Sequence, residues 1–226
     1  MEGQIEASPA HPVADLVTPW FTIWFSPRAT IRKIVDADPR RFAVGIAWIA
    51  GALAALDLEM QFNSGQASPN MPDFVINWLG SIGSLGLAGL AFSLGVMGVI
   101  MLYLLGFLYR WSGGVLGGTA KAVEVRAALA WTQAPAIYVT ILGVAIAILI
   151  PEAAARQPGA PPTIPWWSLV RIPLGFWVFA ISLKTLGEVH RFSAWRALTA
   201  MMLGNFALGI ALLLGIAAVM VGRDLV

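Results

Sequence analysis

Five long apolar runs constrain this chain more than any other feature of its sequence. They extend from about Phe42 to Met60, Phe74 to Tyr109, Ala127 to Ile150, Trp166 to Gly187 and Ala197 to Gly222. A helix needs roughly 20 apolar residues to cross a bilayer. In lipid, each backbone N–H and C=O must find its partner within the segment, so a single apolar run can span only as a helix. The second run exceeds one hydrocarbon thickness and must tilt, bend or begin in the interface. Only 12% of the 226 residues are charged, against about a quarter in an ordinary soluble domain. The expected fold class is therefore all-α: a polytopic membrane bundle of five transmembrane helices, preceded by a short amphipathic interfacial helix. The chain divides into a flexible cytoplasmic tail (1–19), an aromatic and amphipathic interfacial segment (20–41) and a five-span membrane domain (42–226).

Basic residues orient the spans. Arg28, Arg32, Lys33, Arg40 and Arg41 precede the first span, and the loop Gln61 to Asp73 has no Lys or Arg. Arg110, Lys121 and Arg126 follow the second span, and only Arg156 lies between Pro151 and Pro165. Arg191 and Arg196 precede the fifth, with Lys184 close by, and Arg223 stands beside Asp224 at the end. This alternation predicts a cytoplasmic N-terminus and a C-terminus outside. The same residues explain the net charge of +2 without any call on nucleic acid. Cys is absent, which excludes disulfides and thiol chemistry.

The stretch Tyr109 to Tyr138 joins the second and third runs. It holds the glycine pairs Gly113-Gly114 and Gly117-Gly118. Glycine tolerates positive φ, so the four predict a turn that no helix crosses. Thr119 is placed to cap the next helix. Upstream, the first residues have neither a basic leader nor an apolar core and read as a loose tail rather than a signal peptide. Trp20 to Phe25 is too short to span and suits the headgroup layer. Ser26-Pro27 starts a helix that Asp38-Pro39 ends. Its Ile31, Ile34 and Val35 share one face, with Arg28, Arg32 and Lys33 toward the other. Trp20, Trp24, Arg28, Arg32 and Lys33 are thus the expected membrane-surface contacts, with a connector packed on the bundle as the alternative.

Four motifs in order then carry a family resemblance. They are Ser26-Pro27-Arg28-Ala29-Thr30 with Asp38-Pro39; Gly113-Gly114 with Gly118-Thr119; Trp131-Thr132-Gln133-Ala134-Pro135; and Glu188-Val189-His190-Arg191-Phe192-Ser193. From Trp24 onward the chain resembles the YIP domain family, five-span membrane proteins named for interacting with Ypt/Rab GTPases, in its bacterial style. The resemblance implies a cytosolic N-terminus, a C-terminus on the opposite side and no catalysis. Asp15-Leu16-Val17-Thr18-Pro19 lacks the Tyr and Gly of the Asp-Leu-Tyr-Gly-Pro element in eukaryotic members, so GTPase binding does not carry over. The Ala- and Gly-rich, Cys-free composition suits a bacterial inner membrane.

Few residues invite chemistry. Ser81, Ser84, Ala88, Ala91, Gly95 and Gly98 form one small-residue face; it serves packing within the bundle or the seam of a homo-oligomer. Pro135 frees the carbonyl of Trp131 and kinks the third span. Gln133 and Asn205 lie at similar depth and are expected to share a polar cluster with that carbonyl. Asp57 and Arg171 lie near the outer boundary on different spans and are expected to pair. His190 reads as a hydrated interfacial histidine, with pH sensing as the functional alternative, and Ser193 as the cap of the last helix. No catalytic set, cofactor motif or metal site is visible. The expected partners are the lipid bilayer and an unidentified membrane or cytoplasmic protein. Two functions follow: a non-catalytic organiser of membrane or partners, or a small transporter or channel using Gln133, Pro135 and Asn205.

Overall fold

Pro27 occupies the first helical position, where its missing N–H costs nothing. In the computed structural model it opens a helix that runs to Ala37. The structure describes residues 14–63, 77–78, 81, 83–149 and 166–223; among these, every regular element is an α-helix. Helix α1 (Ala14–Phe25) begins inside the segment expected to be tail. Helix α2 (Pro27–Ala37) stops at Asp38, whose N–H still reaches the Ile34 carbonyl at 2.9 Å before Pro39. The remaining helices are α3 (Ala43–Asn63), α4 (Ser84–Val115), α5 (Ala122–Trp131), α6 (Gln133–Leu149), α7 (Trp166–His190) and α8 (Ala194–Arg223). Helix α3 runs through Gln61 to Asn63, the start of the expected loop Gln61 to Asp73; the rest of that loop, the expected loop 151–165 with Arg156, the first 13 residues and the proposed start of the second run at Phe74 lie outside the described residues.

Among the described residues, four helical stretches are long and apolar enough to cross a membrane: Ser84–Val115, Ala122–Ile146, Ile172–His190 and Ala194–Val221. The second of these contains the break at Thr132 between α5 and α6. Pro135 explains it, because proline cannot donate to the carbonyl four residues back, at Trp131. Beside the break, the Thr132 hydroxyl donates to the Leu129 carbonyl at 2.7 Å.

The largest helix contact joins α3 to α4. Glycine makes it close. A Cβ on Gly98 would stand 2.5 Å from the Ala47 carbonyl, and one on Gly95 would stand 2.6 Å from Trp48 Nε1. This part of the small-residue face therefore packs inside the bundle; Ser84 and Ala88 are exposed, Ala91 is half-buried, and the Ser81 hydroxyl donates to Trp78. Away from this seam the helices expose large apolar side chains such as Phe176, Phe206 and Leu213. A soluble protein would bury such a surface; lipid covers it in a membrane protein.

The tightest core lies at the hairpin end. Ile23, Ile31, Val125, Trp131, Ile181 and Leu186 are all fully buried there. They come from α1, α2, α5 and α7, so the two N-terminal helices are part of the packed body. Burying Ile31 and Ile34 stabilises the docking of α2 by about 1.5–3 kcal/mol per side chain.

Candidate functional site

Two helix ends face each other at the hairpin. Helix α4 continues through Gly113 and Gly114 to Val115, so these glycines do not form the expected turn. The turn begins at Leu116, and among the hairpin glycines Gly117 alone has positive φ, at 84°. Gly118 N–H bonds the Gly113 carbonyl at 2.8 Å and Gly117 N–H bonds Gly114 at 3.0 Å. This is the six-to-one, five-to-two pattern of a Schellman ending. Helix α7 ends the same way: Phe192 N–H reaches Gly187 at 2.9 Å and Arg191 N–H reaches Glu188 at 3.1 Å. Here Arg191 takes the left-handed position, with φ 59°, where glycine is the usual residue.

His190 explains why glycine stands at 113. Its ring is 1% exposed. A Cβ on either Gly113 or Gly118 would overlap it. The ring stacks on Phe192 at 5.0 Å with planes 5° apart. His190 is therefore a buried wedge rather than a hydrated surface group, because the two glycines leave the space that its ring fills. Among the described residues, neither ring nitrogen meets a partner at hydrogen-bond geometry, although the Tyr109 backbone lies near enough to act on the ring. One turn earlier on α4, the Tyr109 hydroxyl donates to Asn205 Oδ1 at 2.9 Å. Gly204 permits that approach: a Cβ there would stand 2.8 Å from Tyr109 Cδ1.

The helix after the turn starts at Ala122 with Lys121 as its cap, so Thr119 is not the cap. The Lys121 N–H donates to Glu124 Oε2 at 2.9 Å, and this carboxylate reaching back satisfies an otherwise free donor. Ser193 does accept from Arg196 N–H, at 3.4 Å, at the start of α8.

The N-terminal helices close over this end. Arg28 and Arg32 both meet Glu188 on α7: Arg32 Nε donates to Oε1 at 2.7 Å with its Nη2 on the same oxygen, and Arg28 Nη1 stands 3.9 Å from Oε2. Trp20 packs edge-on against Trp131 at 5.5 Å and Tyr138 at 6.1 Å, and Trp24 lies 6.3 Å from Tyr138. Four of the five expected membrane-surface residues thus also contact the bundle, while Lys33 is exposed. Their aromatic and basic character suits either role. Around Glu188 an open depression is lined by Arg28, Arg32, Asp36, Glu124, Arg191 and Ser193, among others.

The expected polar cluster is divided differently. Asn205 joins Tyr109, between α8 and α4. Gln133 is exposed at the start of α6, which packs on α1, α3, α5 and α7, and Pro135 is buried. Asp57 is half-buried on α3; the Arg171 side chain lies outside the described residues. Sequence reasoning missed Glu188, Tyr109 and Gly204. Only Glu188 stood in a motif, and no spacing along the chain links positions on three helices. Among the described residues, no group of three His, Asp or Glu could hold a metal.

A family model described as the Yip1 domain matches residues 21–216. No curated protein and no solved structure matches the chain. The matched region takes in the Glu188 contacts of the N-terminal helices, the glycine hairpin and the His190 wedge. The chain belongs to the Yip1 domain family.

Proposed function

We propose that this membrane protein is a non-catalytic organiser: a five-span bundle that holds a rigid basic face at one membrane surface for protein partners. The observation that supports this reading is the dense core at the hairpin end. Ile23, Ile31, Val125, Trp131, Ile181 and Leu186 fill the space between the N-terminal helices and the spans. A packed end favours a fixed presenting surface over a solute path, which needs a polar, hydrated cavity. In this reading α3 is the first of five spans, and the Asp57–Arg171 pair ties it to the fourth. The N-terminus lies in the cytoplasm and the C-terminus outside, by the distribution of Lys and Arg. The membrane is a bacterial inner membrane, and the exposed end of the small-residue face is available to a second copy. Affinity purification in mild detergent should recover a reproducible protein partner whose capture is lost when Arg28 and Arg32 are both replaced by Gln. Solute flux through reconstituted liposomes, with no partner captured, would overturn the reading in favour of transport.

A further inference from the structure

Beside the hairpin, a second cavity opens between the entry to α3, helix α4 and helix α5. Its volume is about 370 Å³, and its lining includes Arg40, Arg126, Tyr103, Val44, Leu102 and Val123. Two arginines line it and no carboxylate does. By contrast, Arg28 and Arg32 share the Glu188 carboxylate. Among the described residues, no salt bridge holds Arg40 or Arg126. Arg126 is nevertheless held in place. Its stem lies on Gly106, where a Cβ would approach Cγ to 2.6 Å, and its guanidinium carbon stands 4.7 Å from the Tyr103 ring centroid. An arginine ordered by packing loses little further freedom on binding, and its planar fork matches a phosphate. Val44 and Tyr103 are 46% and 49% exposed on the apolar flank of the bundle. The cavity therefore offers charge toward the surface and hydrocarbon contact below it.

We propose that this cavity binds the headgroup of an anionic phospholipid, its phosphate against Arg40 and Arg126 and the start of an acyl chain along Val44 and Leu102. Basic pockets between spans recognise anionic headgroups in this way. The inference needs the chain to lie in a membrane but does not rest on the organiser reading.

The test is a calorimetric titration of the delipidated full chain in neutral detergent. Dihexanoyl phosphatidylglycerol should bind at least fivefold more tightly than dihexanoyl phosphatidylcholine and than free glycerol 3-phosphate. Arg40→Gln should weaken it about fivefold, the effect of one basic contact near a membrane surface. Arg110→Gln removes an exposed cation at the same end that does not line the cavity, and should leave binding unchanged. Arg126→Gln also removes packing on Gly106, so Arg40→Gln carries the test by itself. Equal affinity for the two lipids overturns the charge argument, and equal affinity for glycerol 3-phosphate shows a free-phosphate site instead of a lipid site. Equal losses in Arg40→Gln and Arg110→Gln overturn the location.

Discussion

Gly113 and Gly114 are adjacent in the same helix, yet their surroundings differ. A Cβ at Gly113 meets the His190 ring, whereas one at Gly114 meets nothing within 4 Å. The two alanine substitutions should therefore act with opposite signs. Gly114→Ala gains helix propensity and should raise stability by up to about 1 kcal/mol. Gly113→Ala overpacks and should cost about 1–3 kcal/mol. Thermal unfolding in detergent reads both, and Gly113→Ala combined with His190→Ala should lose less than the sum of the single changes. A stabilising Gly113→Ala would show that the wedge is not tight. Arg191 supplies a second residue-scale case. Its left-handed φ of 59° is strained for a residue with a Cβ. Arg191→Gly should raise stability by about 0.5–1 kcal/mol after the greater freedom of glycine in the unfolded chain is subtracted, read as a higher unfolding midpoint. An unchanged or lower midpoint would mean that the arginine side chain itself contributes to the fold.

Helix α2 is held by two kinds of contact, apolar burial of Ile31 and Ile34 and the two arginines on Glu188. The Glu188 side chain is 12% exposed, but those of Arg28 and Arg32 are 48% and 67% exposed. Solvent screening therefore limits the ionic part to about 1 kcal/mol or less. Glu188→Gln should leave the bundle intact while speeding amide exchange in residues 27–37 several-fold. Uniform acceleration across α7 as well would show that Glu188 supports the whole end of the bundle. The element's apolar stripe, its Ser26-Pro27 start and its Asp38-Pro39 stop were all legible, because they follow from local backbone chemistry. Whether the stripe met lipid or protein was not legible, because an amphipathic helix satisfies either surface with the same pattern.

At the scale of the whole molecule, four span-length apolar helices stand among the described residues, and α3 adds a further 21-residue helix that the organiser reading treats as a span. Threading is tested by reporter fusions at Gln66, Gly117, Gln157 and the C-terminus, which should report outside, cytoplasmic, outside and outside in that order. A cytoplasmic C-terminus would remove one crossing and exclude five spans. The asymmetry of the bundle also belongs to this scale. The most deeply buried large side chains gather at the hairpin end, while α8 exposes Leu212, Leu213 and Leu214 in succession. Apolar runs alone do not distinguish these environments, since hydropathy is equally satisfied by lipid and by protein neighbours.

The sequence by itself determined that the chain is helical and membrane-embedded, where most helices begin and end, and which family it resembles. Those properties are set by solvent, by run length and by residues within a turn of each boundary. Pro135 marked an interruption of the third span, because a proline acts on a carbonyl four residues away. Only the tertiary structure decided the purpose of the hairpin glycines, the partner of Asn205 and the burial of His190. Glycine supplies both a left-handed turn and the absence of a side chain, and the sequence does not say which is used. At Gly117 the backbone angle uses the first; at Gly113, across from a histidine 77 positions further along the chain, close packing uses the second.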